Sequence, residues 1–408
     1  MDLRKRQRVQ PKARESWLSP FCLVQSLAGT WAARFTVLLL VSCGAQPTAP
    51  PISPDAWKSP NLLVNRERIE VVKHGVARGD ATLTAANKDL VRTADDMLSA
   101  APNPIVGELR VPGYYTAERE TQQRITRQLR KDARTSNALA LACALTGKAE
   151  YGTKAKQFLF AWVRPLTKPV NGGSWWQFYR LGCRGDTPLV IAYSFPCFIY
   201  AFDLLKGEGI LTQDEIASFR TWLRPFVDYH LSEEIYKNNH HNWQVVFLMC
   251  AAHALEDPAL FDRAVQYYHH GLRGQIRKDG ALPHELWRKE KSGTYTLMAL
   301  EAMTQAVHIS ANHGYTDLRE LRSKDGGTLE AAIDFYTRFL DDPQTWATFT
   351  NTNQLNVPND ISDWGYIFEL PYRWWGKEQY LTHMQKRPYG YDVERCYTLD
   401  FATLLFAQ

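Results

Sequence analysis

Apolar residues recur at helical spacing along most of this chain from residue 61 onward. The clearest stripe consists of Ile216, Phe219, Trp222, Leu223 and Phe226. Residues spaced three and four apart share one face of an α-helix, so this stripe predicts an amphipathic helix. Thr212 and Glu215 precede the stripe and have the spacing of a capping box, in which each side chain bonds the other's backbone. The pattern therefore predicts both the helix and the residue at which it begins.

Similar runs predict further helices over residues 122–145, 149–163, 189–205, 240–255, 258–273, 294–312 and 329–340. Gly147 ends the first run and Pro165 follows the second. Strand-like alternation between hairpin turns is scarce, and no exact repeat favours a solenoid. Consecutive helices joined by short loops pair as antiparallel hairpins. The predicted fold is all-α, an incomplete α/α toroid of helical hairpins around a central substrate cleft.

The first 60 residues have a different character. A basic flank and a short apolar run, 35–41, lead to Ser42 and Cys43, as in a bacterial lipoprotein signal. The run is too short to span a membrane. We predict a lipoprotein-type signal over 1–43 with lipidation at Cys43, a Pro-rich tether over 44–60 and a folded domain over 61–408. The alternative is a cleaved secretory signal with an incidental cysteine. Either reading places the protein in the periplasm or at the cell surface.

Charge is also distributed unevenly between the first 42 residues and the rest of the chain. The formal net charge is +5, but residues 1–42 carry seven basic and two acidic groups, which leaves 41 of each in the remainder. A neutral body argues against nucleic-acid binding, so an anionic partner requires a local basic groove. We expect a monomer that meets the membrane only through its lipid anchor.

Cysteine and metal-binding patterns restrict the chemistry further. Cys143 and Cys250 lie in apolar helical runs and are expected in the core, whereas one disulfide among Cys183, Cys197 and Cys396 is open. The sequence shows no C-x-x-C pair, phosphate loop or nucleophile elbow. His residues lack metal-ligand spacing. We therefore predict neither a metal nor a cofactor.

Two polar segments stand out as candidates for catalysis. Asn239 and His240 precede an apolar helical run, while Arg288 and Tyr295 follow a Gly-Ala-Leu-Pro turn. An amide and a guanidinium can neutralise a carboxylate, and imidazole and phenol groups can move protons. Together they suit removal of a proton beside a carboxylate. The alternative is a helix cap at Asn239, an exposed His240 and Arg288, and Tyr295 at the edge of the core.

The two segments together resemble the alginate lyase family of polysaccharide lyases. The chain carries its N-N-H-x-x-W motif at 238–243, its L-P-x-E-L-x-R motif at 282–288, and a Tyr seven residues after the Arg. Residues 135–162 also look like the helix pair that precedes these motifs. The resemblance implies an α/α toroid that cleaves a uronate polymer by β-elimination.

The resemblance also implies a role for each catalytic candidate. Asn239 and Arg288 match the groups that bind the substrate carboxylate, and His240 and Tyr295 match the pair that transfers protons. A tyrosine base requires a lowered pKa, and we expect the nearby Arg288 to lower the pKa of Tyr295.

Aromatic residues provide the candidates for substrate binding. Trp175 and Trp176 follow a glycine pair and can stack sugar rings, with Arg180 available for a carboxylate. Tyr115 is the candidate for a cover over the cleft, and Trp243 completes the first motif. The alternative for the Trp pair is packing between helices. The segment 111–115 departs from the family pattern, and the His-Asn pair 241–242 occupies positions where other members vary. Both differences bear on substrate preference.

Three classes of function compete. The favoured class is a lyase acting on an anionic polysaccharide, a 1,4-linked uronate polymer such as alginate or polymannuronate, with glucuronan or another polyuronate as the alternative. The second is a non-catalytic glycan-binding lipoprotein, which has no need of the Asn-His-Arg-Tyr set. The third is a glycoside hydrolase, which requires an acidic pair across the cleft. Asp186, Glu285 and Asp363 could supply it, but no spacing singles them out.

Overall fold

Helices dominate the computed structural model, which describes residues 54–169, 185–231, 238–288, 291–342, 361–385 and 396–407. The α-helices are α1 Arg66–Ala77, α2 Ala81–Leu98, α3 Arg119–Thr146, α4 Ala149–Val163, α5 Thr187–Gly207, α6 Gln213–Leu231, α7 Asn239–Leu255, α8 Pro258–Leu272, α9 Pro283–Leu286, α10 Ser292–Asn312, α11 Leu329–Asp341, α12 Glu369–Trp375, α13 Glu378–Gln385 and α14 Ala402–Phe406. Short 3-10 helices lie at Pro54–Trp57, Leu318–Glu320 and Ile361–Phe368. Strands β1 Gly107–Leu109 and β2 Leu166–Pro169 pair in parallel. The predicted all-α class is confirmed.

The long helices alternate between an inner and an outer set. Helix α3 packs on α5, α5 on α7, and α7 on α10, so these four helices follow one another around the inside. Helices α4, α6, α8 and α11 pack behind them, each against a member of the inner set. This is the hairpin arrangement that the sequence predicts, with α7 at its centre.

The inner helices are apolar on nearly every side because other helices surround them. Helix α5 is long and apolar enough to span a membrane, but 94% of its apolar window is buried inside the protein, as in a core helix. In helix α7, every side chain from Val245 to Ala254 is buried. The polar residues that begin α7 are therefore held by a rigid and fully packed support.

Local signals in the sequence set the helix boundaries. The Thr212 backbone donates to Glu215 Oε2 at 2.9 Å and the Glu215 backbone donates to Thr212 Oγ1 at 3.2 Å, which confirms the capping box. Helix α3 ends at Gly147, whose φ of 73° is left-handed and suits glycine. The predicted ranges differ from the observed helices by at most a few residues at each end.

A buried polar chain ties the start of the domain to its core. Asp203 on α5 accepts from His253 Nε2 at 2.9 Å, and its other oxygen accepts from the backbone of Asn61 and Leu62. His253 Nδ1 lies 2.9 Å from Nε2 of His313, whose Nδ1 donates to a backbone carbonyl. Asp203, His253 and His313 thus form one buried hydrogen-bonded chain.

Candidate functional site

The first motif lies where a loop enters helix α7. The side chain of Asn238 accepts from the His240 backbone at 3.1 Å and so caps the helix. Asn239 is fully buried, whereas His240 is half-buried. Burial, with a smaller contribution from the charge of Arg288, lowers the pKa of His240 to about 4. His240 therefore enters any reaction near neutral pH as a neutral imidazole with a lone pair.

The second motif brings its two functional groups into direct contact. Arg288 lies just beyond α9, and its guanidinium carbon is 4.0 Å from the ring centroid of Tyr295 on the first turn of α10. This cation–π contact fixes the direction of the guanidinium. The field of Arg288 also reaches His240 and Glu285, so groups from both motifs share one electrostatic environment.

Tyr115 reaches the same place from the loop before α3. Its hydroxyl lies 2.6 Å from the Tyr295 hydroxyl and accepts from Arg288 Nη2 at 3.2 Å. The side chain is 59% exposed, so Tyr115 covers Tyr295 from the solvent side. The expected position of Tyr115 over the cleft agrees with this geometry, while its contact with substrate stays a prediction.

The prediction that Arg288 lowers the pKa of Tyr295 below its ordinary value was wrong. Burial raises it, the hydrogen bond with Tyr115 raises it further, and the charge of Arg288 is too weak to reverse the change. For Tyr115, burial also raises the pKa, but the hydrogen bonds from Tyr295 and Arg288 together lower it below the ordinary value. Arg288 thus favours ionisation of the exposed tyrosine, because only that hydroxyl receives its N–H group.

Glu285 connects the two motifs. Its carboxylate is 1% exposed and accepts from the Asn239 backbone at 2.6 Å. The Asn239 side-chain nitrogen lies 3.1 Å and 3.0 Å from the two carboxylate oxygens. Both oxygens of Glu285 are therefore committed to one asparagine, and this arrangement does not resemble the acid pair of a hydrolase.

Beside these groups lies a cleft of about 460 Å³. Its cations are Arg127, Arg130 and Lys291, and its one carboxylate among the described residues is Asp186. The remaining lining residues are Tyr114, Gln122, Gln123, Thr126, Leu189, Tyr193, Thr294, Tyr295, Met298 and Tyr397. Burial raises the pKa of Asp186 to about 6, against hydrogen bonds from the Tyr114 backbone and Gln122. The lining is suited to a ligand that carries both carboxylates and hydroxyl groups.

Sequence reasoning missed Tyr397, which forms part of this lining. Arg130 lies 5.0 Å from the Tyr397 ring and donates to the backbone of Cys396 at 2.6 Å. Buried Glu301 accepts from the backbones of Tyr397 and Thr398. No motif surrounds Tyr397 in the sequence, because its position depends on contacts with distant helices.

Trp243 does not bind substrate in the way predicted. The residue is fully buried, and its ring packs against Tyr193 and Tyr397, which themselves line the cleft. Trp243 therefore supports the wall from behind and offers no face to a sugar ring. Trp175, Trp176, Arg180 and Cys43 lie outside the described residues, so their roles stay predictions.

His241 and Asn242, at the variable positions of the first motif, have structural partners. His241 Nε2 lies 2.7 Å from the Tyr267 carbonyl, and a Cβ at Gly271 would collide with the His241 ring. Asn242 and Gln275 exchange two hydrogen bonds at 2.9 Å. These contacts join α7 to α8 and to the segment that follows it, so neither side chain is available to select a substrate.

Cysteines and metal-binding groups add no further centre within the described part of the chain. Cys143, Cys197, Cys250 and Cys396 are buried as free thiols. The described residues contain no group of three His, Cys, Asp or Glu side chains placed to hold a metal ion.

Comparison with known proteins places this chain in a family. The model of the alginate lyase family matches residues 84–346. A curated alginate lyase of Pseudomonas syringae pv. syringae is 28% identical over 149 residues, which are 35% of this chain and 38% of the relative. One of Cobetia marina is 31% identical over 106 residues, 26% of this chain and 27% of the relative. These alignments span well under half of each curated relative.

Solved structures extend the likeness to the whole fold. Alginate lyase A1-III of Sphingomonas species A1 superposes with a TM-score of 0.69 at 19% identity, over 90% of this chain and 100% of that one. An alginate lyase of Bacteroides ovatus gives 0.65 at 19% identity, over 86% and 99%. The α/α toroid is thereby confirmed. The family model matches more than half of the residues of this chain, so the chain belongs to the alginate lyase family.

Proposed function

We propose that this protein is a polysaccharide lyase that cleaves a 1,4-linked uronate polymer of the alginate or polymannuronate type by β-elimination. The single observation that carries the proposal is the placement of Arg288 over Tyr295, with its field reaching His240. These are the groups that the family motifs bring together, and they lie beside a cleft with basic side chains. A tetrasaccharide has been bound to A1-III, a structural relative, which supports an oligosaccharide ligand.

The reaction removes the proton on C5 of a uronate and expels the oxygen on C4. The C5–H electrons become the C4–C5 double bond, the C4–O4 bond breaks, and O4 takes up a proton. The ionised carboxylate attached to C5 disfavours loss of the C5 proton, because further negative charge develops next to it. Hydrogen bonds from Arg288 and Asn239 would stabilise that charge most in the transition state.

The pKa shifts of His240 and Tyr295 support one division of the two proton-transfer roles. His240 is unprotonated near neutral pH, whereas burial keeps Tyr295 protonated. This favours His240 as the group that accepts the C5 proton and Tyr295 as the group that protonates O4. The hydroxyl of Tyr115, at 2.6 Å from that of Tyr295, offers a path by which Tyr295 regains its proton from solvent.

The side chains that line the cleft are suited to binding a polymeric anion. Arg127, Arg130 and Lys291 present cations along it, although the folded domain has no net charge of its own. Tyr193 and Tyr397 add aromatic rings, which pack well against sugar faces. Such a lining favours the binding of a ligand with several uronate units over the binding of a single small carboxylic acid.

A substrate panel tests the proposal directly. Purified protein is incubated with polymannuronate, polyguluronate and glucuronan, and the ultraviolet absorbance of the conjugated unsaturated uronate is followed. We expect an increase with at least one polymer, most strongly with polymannuronate. Reducing ends without that absorbance would indicate a hydrolase, and binding without either product would indicate a glycan-binding protein. Either result would overturn the proposal.

The proposal includes an extracytoplasmic location. The basic flank, the apolar run and Cys43 predict a lipidated protein of the periplasm or cell surface. The predicted tether, residues 44–60, is too long at its C-terminal end, because Pro54–Trp57 form a 3-10 helix and Trp57 packs against His253, Phe261 and His313. Uronate polymers are extracellular materials, so an anchored monomer would act where its substrate arrives.

A further inference from the structure

Glu285 is a buried carboxylate for which the proposed reaction has no use. It lies on α9 with 1% exposure, while Asn239 begins α7. Three hydrogen bonds join them, from the Asn239 backbone at 2.6 Å and from its side-chain nitrogen at 3.1 Å and 3.0 Å. Burying a carboxylate is costly, so an arrangement that commits both oxygens to one asparagine calls for a reason.

An ionised carboxylate can only accept hydrogen bonds. Glu285 in that state requires the nitrogen end of the Asn239 amide to face it, as observed. The other end of the amide, Oδ1, is buried and has no hydrogen-bond partner among the described residues. In this orientation the atom that Asn239 has left to offer is an acceptor, which would repel a uronate carboxylate.

A proton on Glu285 reverses the requirement. One oxygen can still accept from the Asn239 backbone, while the new O–H group donates to Oδ1 after the amide turns over. That half-turn satisfies the orphaned oxygen and releases both N–H groups of the side chain. We propose that the proton on Glu285 decides which end of the Asn239 amide meets the substrate, and that the protonated form is the one that binds a uronate carboxylate. This rests on the proposed function, which gives Asn239 its role.

The surroundings of Glu285 make such a switch accessible. Burial raises the pKa of Glu285 to about 7, although the hydrogen bonds from Asn239 and the charge of Arg288 oppose the change. His240 on α7 and Tyr295 on α10 are both uncharged near pH 7, which leaves Arg288 as the charged group whose field reaches Glu285 among the described residues. An arriving uronate adds a like charge and raises the pKa of Glu285 further. Substrate binding and protonation therefore favour each other.

Glu285→Gln tests the proposal because a carboxamide reproduces the protonated arrangement permanently. Its oxygen accepts from the Asn239 backbone and its nitrogen donates to Oδ1, so the amide stays turned at every pH. We expect the variant to retain wild-type kcat/KM at pH 6 and to exceed it increasingly at higher pH. The ratio of variant to wild-type kcat/KM should rise roughly 100-fold between pH 6 and 9, as one group with a pKa near 7 titrates. Taking the ratio cancels the titration of His240 and Tyr295.

Glu320→Gln serves as a matched control. Glu320 is exposed beside Arg319, so this change removes a carboxylate without touching the site, and its ratio should stay flat. A flat ratio for a folded Glu285→Gln, or a loss of activity at every pH, would overturn the switch. The second result would mean that the reaction needs the ionised carboxylate.

A spectroscopic measurement covers the case in which Glu285→Gln fails to fold. The side-chain amide signals of Asn239 in the wild-type protein, assigned from their loss in Asn239→Asp, should shift with a midpoint near pH 7. Signals that do not move between pH 5 and 9 would refute the proposal. The same titration separates the two hypotheses: if no polymer yields an unsaturated product, the proposed function fails, while a titrating Asn239 amide would still establish the switch.

Discussion

Tyr295→Phe tests the proton-transfer assignment most directly, because the change removes a single oxygen atom. The phenylalanine ring keeps the contact with the Arg288 guanidinium, now 4.0 Å from the ring centroid. Only the 2.6 Å bond between the Tyr295 and Tyr115 hydroxyls is lost. Since the Tyr115 hydroxyl is on an exposed side chain, water can replace the missing partner. The packing of the site should therefore survive the substitution.

The magnitudes for folding and for catalysis are well separated. Loss of one hydrogen bond between neutral groups lowers the free energy of unfolding by about 1 kcal/mol. Loss of a general acid lowers kcat by about 10²- to 10⁴-fold, which corresponds to about 3 to 5.5 kcal/mol in the activation barrier. If the variant remains folded under the assay conditions, a decrease in kcat of this size cannot result from the small loss of stability.

The assay compares initial rates of unsaturated-product formation with polymer binding measured by calorimetry. We expect kcat to fall within that range, with binding affinity nearly unchanged and a small decrease in Tm. Tyr267→Phe is the matched control, since Tyr267 accepts from Arg263 outside the cleft and its loss should leave kcat intact. Near-full activity of a folded Tyr295→Phe would refute the role of Tyr295 as the proton donor to O4.

Three further predictions concern Arg288, Asp203 and Cys43. Arg288→Lys should lower kcat/KM roughly 10- to 100-fold, because a point charge cannot reproduce the planar fork that grips a carboxylate; steady-state rates close to those of the wild type would contradict this. Burial alone would raise the pKa of Asp203, but the charge and hydrogen bond of His253 lower it below the ordinary value. The Asp203 carboxylate therefore stabilises the fold above the ordinary pKa of aspartate, and this stabilisation is lost as the pH falls through the lowered pKa. Asp203→Asn should therefore cost about 3 kcal/mol of unfolding free energy at pH 7, with the difference shrinking in strong acid, and urea titrations that show an equal loss at both pH values would count against a stabilising Asp203 carboxylate. Cys43→Ala should release the protein from the membrane fraction, as judged by immunoblotting after fractionation, and unchanged membrane association would exclude lipidation at this residue.

The helices were predictable because their signals are local. The Thr212–Glu215 box, Gly147 and Pro165 act within a few residues of themselves, and their effects on the chain hold in any surroundings. Apolar spacing then indicates which face of each helix is buried. The same spacing cannot indicate depth, which is why Trp243 was assigned to the cleft although it packs behind the cleft wall.

The site was predictable only as far as its motifs extend. Arg288 and Tyr295 lie seven positions apart, so a short turn and the start of α10 suffice to bring them together. Tyr397 depends instead on Glu301 and Arg130, which belong to other helices. The pKa of Tyr295 depends on how completely the fold buries its hydroxyl, and that quantity has no counterpart in the order of residues.

The contacts that hold Tyr397 and its neighbours bear on how the protein acquires its activity as it folds. Tyr397 in the cleft lining belongs to the segment 396–407, which Arg134 holds through Asp400 and Glu301 holds through Thr398. A ribosome adds these residues long after α3, α7 and α10, so a nascent chain carries all four catalytic candidates before this segment exists. Polymer cleavage should therefore switch on abruptly when this segment docks, rather than growing as each helix forms.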